Sequence, residues 1–474
     1  MRRSQGLPTG WRGWMGKRSD CASWLTVAVV AASFVVAGAS SGQTAESLQQ
    51  ALASTYRDNP QLDAERARLR AIDEGVPQAL SGARPTVIGG VDISREHVST
   101  TPGTSGSFTP RSVSIGVTQP VFRGFRTLNS TRQAETLVLA GREALLNTEQ
   151  NVLLDAVAAY VDVVRDLSIV SLRSNNLKVL GEQLRATQDR FSVGEVTRTD
   201  VAQGEARVSR AVSALSLADA NVNSSRAIYA RVIGHPPGAL AQPPGIGRLL
   251  PRSLDEALSI GDTEHPAILT AMYNEQAAAY GVDVTTGELL PTVSVDAGYS
   301  KHYDPGLTTI RSENSAITAR LSVPLYQAGE VSSRVRESLE VRAQRRLELA
   351  LTRREVRAAV ISAWGQLDAA QAQIRSDQAQ VSANEVALNG VREEAKVGQR
   401  TVLDALDAEQ ELLDSQVALV TSRRNFVVAS YALLSSIGRF SAEKLGLAVE
   451  IYDPMAHYEE VRGKWFGLGS YFDE

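Results

Sequence analysis

The sequence predicts an α+β membrane protein made of two internal repeats, each combining short alternating strands with very long helices. Three observations carry that prediction. The chain repeats itself at a nearly constant offset, four segments alternate apolar and polar residues, and two segments keep an apolar heptad along helices of about 68 residues.

The repeats run from Ser47 to Gly234 and from Ser253 to Gly438. Asn59-Pro60 returns as His265-Pro266 and Arg84-Pro85 as Leu290-Pro291, both prolines shifted by 206 (266 − 60 and 291 − 85). Val193-Gly194-Glu195-Val196-Thr197-Arg198-Thr199-Asp200 returns as Val397-Gly398-Gln399-Arg400-Thr401-Val402-Leu403-Asp404, shifted by 204 (397 − 193). Repeats this complete are duplicated structural units, so any function should be built from both copies. The predicted organisation is a signal peptide at 1–39, repeat 1 at 46–234, a linker at 235–252, repeat 2 at 253–438 and a tail at 439–474. Within each repeat a helical segment (about 46–80; about 254–287) precedes the strands, then a long helix and a further helix (199–234; 402–437) follow.

The N-terminal expectation rests on Trp24–Gly38, the longest apolar run, which follows Lys17-Arg18 and ends at Ala37-Gly38-Ala39, an A-x-A pattern. It is short for a stop-transfer helix. The stretch before it is long, and Met15 offers a second possible start. Removing 1–39 takes five of the 49 basic and one of the 53 acidic residues, leaving a net charge of −8. No nucleic-acid footprint is expected from such a chain. The single cysteine, Cys21, precedes the apolar run and leaves with it, so no disulfide and no lipid-anchor cysteine is expected.

The strands follow from period-two alternation. Val87, Val91 and Ile93 oppose Asp92, Ser94 and Glu96, and Val113, Ile115 and Val117 oppose Ser112, Ser114 and Thr118. The second repeat sets Val293, Val295, Ala297 and Tyr299 against Ser294, Asp296 and Ser300. It then sets Ile317, Ala319, Leu321 and Val323 against Thr318, Arg320 and Ser322. Strands are therefore predicted at 86–97, 111–121, 292–303 and 315–324. Their lengths suit an outer-membrane crossing of ~9–11 residues, and the alternative is two soluble hairpins packed on the helices. Four membrane strands cannot close a barrel, and open edges are not tolerated in lipid. Two copies would supply eight strands and three would supply twelve; the residues alone do not choose.

The long helices, 125–192 and 330–397, carry the heptads. Ala156, Val163, Val170, Leu177, Leu184 and Phe191 recur every seventh residue, as do Val360, Leu367, Ile374, Val381, Leu388 and Ala395. Such a seam predicts coiled-coil packing over ~100 Å at 1.5 Å per residue. The shorter helices, stacked end to end, would match that length and form a helical tube continuing from the strands. Phe122, Phe125 and Tyr326 fall where strands meet helices, as interfacial aromatics or as core packing.

Enzyme chemistry finds little support. The five histidines, His97, His235, His265, His302 and His457, are scattered, with no zinc pair, nucleotide loop or nucleophile elbow. Gly245-Ile-Gly247 lies in the proline-rich linker and opens no helix. No metal and no cofactor is expected. The remaining rival is a periplasmic structural coiled coil or adaptor.

Taken together, the duplicated Val-Gly-x-x-Thr-x-x-Asp turns resemble the TolC family of outer-membrane channels. Gln119-Pro-Val-Phe-Arg-Gly-Phe-Arg-Thr127 and Val323-Pro-Leu-Tyr-Gln-Ala-Gly329 add to that likeness, which covers nearly all of the chain after residue 39. The tail, Tyr452-Asp-Pro-Met-Ala-His-Tyr458 with Lys464-Trp-Phe466, looks like alphaproteobacterial members of efflux or type I secretion type. The resemblance implies a homotrimer with a twelve-stranded barrel in the outer membrane and a periplasmic helical tunnel. It implies a passive exit duct for a tripartite efflux pump or a type I secretion system. The implied partners are a periplasmic adaptor (membrane fusion protein) and an inner-membrane transporter of RND or ABC type, without nucleic acid.

Residue by residue, Asp404 and Asp407 match the family's pore-constricting acidic pair. Carboxylates at i and i+3 share a helix face, and Glu411 and Asp414 extend it. Arg400 matches the lock arginine and Asp200 the aspartate it pairs with. The aromatic gate position falls on Ala395, with Phe191 at the equivalent place in repeat 1, a departure from the family pattern. Gly194, Glu195, Val196 and Thr197, with Gly398, Gln399 and Thr401, form the tips implied to meet the adaptor.

Overall fold

The structure, a computed structural model, describes residues 45–469. The expected signal peptide at 1–39, with Cys21, and the last residues of the tail lie outside them. Chain order begins α1 (Leu48–Asp58), α2 (Pro60–Asp73), α3 (Gly75–Ser81), β1 (Thr86–Ile93), β2 (Glu96–Ser99), β3 (Ser105–Phe108) and β4 (Arg111–Arg123). It continues with α4 (Arg126–Ser192), α5 (Arg198–Ile233), α6 (Leu254–Glu264), α7 (Pro266–Thr286), β5 (Thr292–Tyr303) and β6 (Arg311–Ser322). It closes with α8 (Glu330–Lys396), α9 (Val402–Ser436), α10 (Ala442–Leu445) and α11 (Ala456–Arg462).

Both repeats contribute to one antiparallel four-stranded sheet in the order β1-β4-β5-β6, so β1 and β6 are its open edges. A separate ribbon pairs β2 with β3, Glu96 opposite Phe108. The strand expected at 86–97 is therefore broken. β1 ends at Ile93, and Ser94 donates from its backbone nitrogen to the Pro110 carbonyl at 3.0 Å before the ribbon begins. The last strand starts at Arg311 rather than 315, because Tyr303–Arg311 pairing extends the β5–β6 ladder into the loop. At the base of β4 the register slips between Pro120 and Phe122, where proline has no N–H to give to the ladder.

Among the described residues the sheet is a single layer on which no helix packs. Val91 is 72% exposed and Ile317 82% exposed, far beyond what a soluble sheet leaves in water. The strand-to-helix junctions are sharp. Gly124 and Phe125 have φ of 61°, and Ala328 and Gly329 have φ of 51° and 81°, so each junction spends two successive left-handed residues. A Cβ at Gly124 would collide with the Gly287 carbonyl, so the close approach there requires glycine.

α4 and α8 span 67 residues each, ~100 Å at 1.5 Å per residue. The segments expected as single helices at 46–80 and 254–287 are both broken at their prolines. Asn59 Oδ1 accepts from the Gln61 backbone nitrogen at 2.9 Å ahead of Pro60, and His265 Nδ1 accepts from Ala267 at 3.2 Å ahead of Pro266. Each proline occupies the first helical turn, where its missing N–H costs nothing.

The main core sits at mid-height of α4. Leu48, Leu52 and Tyr56 of α1 pack there with Leu153, Ala156, Tyr160 and Val163 of α4, Tyr229 and Ile233 of α5, and Phe440 beyond α9. The linker crosses the same level, its Leu240 bridged to Glu46. The Tyr160 hydroxyl lies 2.7 Å from the carbonyl oxygens of both Glu46 and Ala241, and burial pushes its pKa up to about 12. Repeat 2 builds a smaller equivalent from Ala257, Ile268, Val356, Val360 and Leu433.

Candidate functional site

The two helix-turn-helix tips are built alike. α4 is capped by Val193, and Gly194 with φ of 82° reverses the chain; α8 is capped by Val397, and Gly398 has φ of 77°. Glu195 donates from its backbone to the Arg190 carbonyl at 2.9 Å, and Gln399 to Glu394 at 3.0 Å. These six-to-one bonds close Schellman ends for which a left-handed glycine is the natural residue. The next helices start on capping boxes. Thr197 Oγ1 accepts from the Asp200 backbone nitrogen at 3.3 Å while Asp200 Oδ2 accepts from Thr197 N–H at 2.8 Å. Thr401 and Asp404 repeat this at 3.2 and 2.9 Å.

The capping accounts for two of the expected site residues. Asp200 is held below the usual carboxylate range by the Thr197 hydroxyl and then the Thr197 backbone N–H. Asp404 is held low by the Thr401 backbone N–H first and the hydroxyl second, with Arg400 a smaller aid. Both carboxylates are ionised and already engaged. Within the chain Arg400 does not meet Asp200; its Nε donates to Glu394 Oε2 at 3.0 Å. The single chain thus leaves the expected Arg400–Asp200 pair unmade, each partner being engaged locally. Phe191 is 45% exposed, so the heptad seam that is sealed at Ala156 and Val163 opens at the tip.

Asp407 is tied to the other repeat: Arg207 Nη2 on α5 donates to Asp407 Oδ1 on α9. Arg392 of α8 donates to the buried Glu409 at 3.1 Å, and burial raises that carboxyl's pKa despite the arginine. Arg173, Arg207 and Arg210 face Glu409 and Asp414 across a cleft of about 230 Å³. Sequence reading missed Arg207 and Arg210. The signal was available: at the repeat offset (411 − 207 and 414 − 210, both 204) they stand where repeat 2 has Glu411 and Asp414. The duplicated helices thus carry opposite charges on corresponding positions, which lets α5 and α9 attract each other.

Among the described residues no helix is long and apolar enough to cross a membrane. No group of three or more metal-ligating side chains that could hold a metal ion occurs among them either.

Comparison with known proteins now places the chain. The Outer membrane efflux protein model matches residues 48–235 and 262–439, covering both repeats and leaving the linker between them. Outer membrane efflux protein BepC of Brucella suis is 43% identical over 93% of this chain and 96% of its own length. Outer membrane protein TolC of Escherichia coli is 24% identical over 86% of each chain. Among solved structures, the Campylobacter jejuni CmeC outer membrane channel superposes with a TM-score of 0.76 at 14% identity, over 88% of this chain and 89% of that one. The identity with BepC is too high and too complete for a shared architecture alone. The chain belongs to the outer membrane efflux protein family, the TolC-like channels of the outer membrane.

Proposed function

We propose that three copies of this chain close a twelve-stranded barrel in the outer membrane, continued by a periplasmic tunnel of twelve helical columns. The duct passively carries substrates delivered by an inner-membrane transporter and a periplasmic adaptor. The observation that carries this reading is the single-layer sheet with open edges at β1 and β6 and apolar residues exposed on it. Such a sheet satisfies its backbone in lipid only when further copies pair β1 with β6 and abolish the edges.

The tips are the proposed gate. Asp404 and Asp407 supply the constriction, at least six carboxylates in a trimer, which would favour cations. Arg400 and Asp200 would lock neighbouring chains, in competition with the Glu394 and Thr197 contacts each makes at home. Gly194, Glu195, Val196, Thr197, Gly398, Gln399 and Thr401 would meet the adaptor; their backbone turns are exposed and rigidly capped.

Single-channel conductance in planar bilayers tests this. Wild type should insert and pass cations in preference to anions, Asp404→Asn/Asp407→Asn should lose that preference, and Arg400→Ala should conduct more. A purified folded oligomer that never inserts would sink the duct. Insertion with unchanged selectivity in the double variant would sink the gate alone.

A further inference from the structure

The C-terminal tail climbs the outside of the first repeat in measured steps. The Tyr452 backbone nitrogen donates to the Tyr56 hydroxyl at 3.1 Å, His457 Nδ1 lies 3.1 Å from Asp73 Oδ2, and Arg84 Nη1 donates to the Lys464 carbonyl at 2.6 Å. Tail residues 452, 457 and 464 thus meet residues 56, 73 and 84, in order along α1, α2 and the approach to β1. α11 is fastened on the way by buried Val461 and by Arg462 donating to Glu135, near the start of α4, at 3.1 Å. The climb ends where Pro85 leads into β1 at Thr86, the foot of the sheet.

What it delivers there is apolar. Among the described residues Trp465 is 64% exposed, Phe466 91% and Leu468 fully so. Arg84 stacks its guanidinium over the Trp465 ring at 4.9 Å, fixing the ring beside the strand. At the same end of the sheet stand the exposed Phe125, Leu325 and Tyr326 of the two strand-to-helix junctions. Arg84, Arg462 and Lys464 flank the tail's apolar side chains. Aromatic and leucine side chains beside basic residues are the chemistry of a membrane–water boundary, where rings sit at headgroup level and cations meet phosphates.

We propose that Trp465, Phe466 and Leu468 form an interfacial anchor that dips into the inner leaflet of the outer membrane beside the foot of β1, with phospholipid as its occupant. Continuity with the sheet argues for lipid, since the anchor begins at the level where the strands do. The inference rests on the reading that this sheet crosses the outer membrane.

The test uses the full chain with Cys21→Ser, reconstituted in phospholipid nanodiscs and carrying an NBD label at Phe466→Cys, Ile317→Cys or Val193→Cys. Lipids bearing a shallow or a deep doxyl quencher report contact. Position 466 should be quenched by the shallow lipid several-fold more than the tip position 193, while 317, in the sheet, responds to lipid regardless of the tail. Quenching at 317 with none at 466 overturns the anchor alone. Loss at both overturns the membrane sheet and the anchor with it. Blue-shifted but unquenched emission at 466 means that another protein surface covers the patch, which also overturns the proposal. Leu468→Cys repeats the measurement should the change at Phe466 disturb the tail.

Discussion

Around Ala156 and Val163, helix α4 is sealed by α1, α5 and the linker, while at its far end Phe191 is nearly half exposed and Val193, just beyond, stands largely in solvent. The helix is continuous between these regions, but different forces hold them. The middle is fixed by apolar burial and by Tyr160 and Tyr229 (the latter donating to Glu46 at 2.8 Å), all in a dry setting. The tip is fixed by capping boxes and ion pairs such as Arg207–Asp407 and Arg400–Glu394, each open to water. Buried apolar contacts are lost all together or not at all, whereas exposed pairs cost little to exchange. A tunnel built this way keeps a stiff waist and a tip that can rearrange.

The waist should give the largest effect. Tyr160→Ala empties a fully buried ring site and takes the hydroxyl from the Ala241 carbonyl, and about 3–5 kcal/mol of stability is expected to go, read by chemical denaturation in detergent. Tyr160→Phe keeps the ring and loses only the hydroxyl, so about 1–2 kcal/mol is expected. Equal losses in the two variants would mean that the hydroxyl, not the packing, holds the linker.

The next effect separates the two repeats. Asn59 and His265 cap equivalent helices, but only the histidine titrates. Burial lowers the His265 pKa to about 4, below the 6.5 of an unfolded histidine, and the neutral ring's Nδ1 accepts from Ala267. The unfolded chain therefore takes up the proton first as pH falls. Stability is full above about pH 6.5 and is lost progressively between 6.5 and 4, on the order of 1–3 kcal/mol. His265→Asn should flatten that part of the pH profile, and an unchanged slope would locate the sensitivity elsewhere.

Much of this contrast could be read in the sequence and some could not. The heptads of α4 and α8, the alternating strands and the Val-Gly turns are local patterns, and local patterns survive in a linear reading. The Thr-x-x-Asp capping boxes are local patterns too, and the one at Thr401 gives Asp404 a second role beside the pore position that the family resemblance implies. What was hidden is pairing at long range. Arg207 and Asp407 lie 200 residues apart (407 − 207), and only the fold brings α5 beside α9. The break after Ile93 escaped because alternation continues through Ser94 and Glu96 while the hydrogen bonding does not.

The smallest expected change in stability carries the largest expected change in behaviour. Arg207→Gln removes an ion pair whose aspartate is more than half exposed, so the fold should lose no more than about 1 kcal/mol. The carboxylate it leaves uncompensated faces the other repeat at the proposed constriction. Reversal potentials in a salt gradient should shift toward stronger cation preference, and open periods should lengthen because α5 no longer holds α9. Both differences should shrink in 1 M salt, where the Debye length falls to about 3 Å. Asp407→Asn should lengthen openings in the same way while weakening cation preference, since it removes the tie and the charge together. If Arg207→Gln matches wild type while Asp407→Asn does not, the aspartate acts alone and the tip is not tied across the repeats.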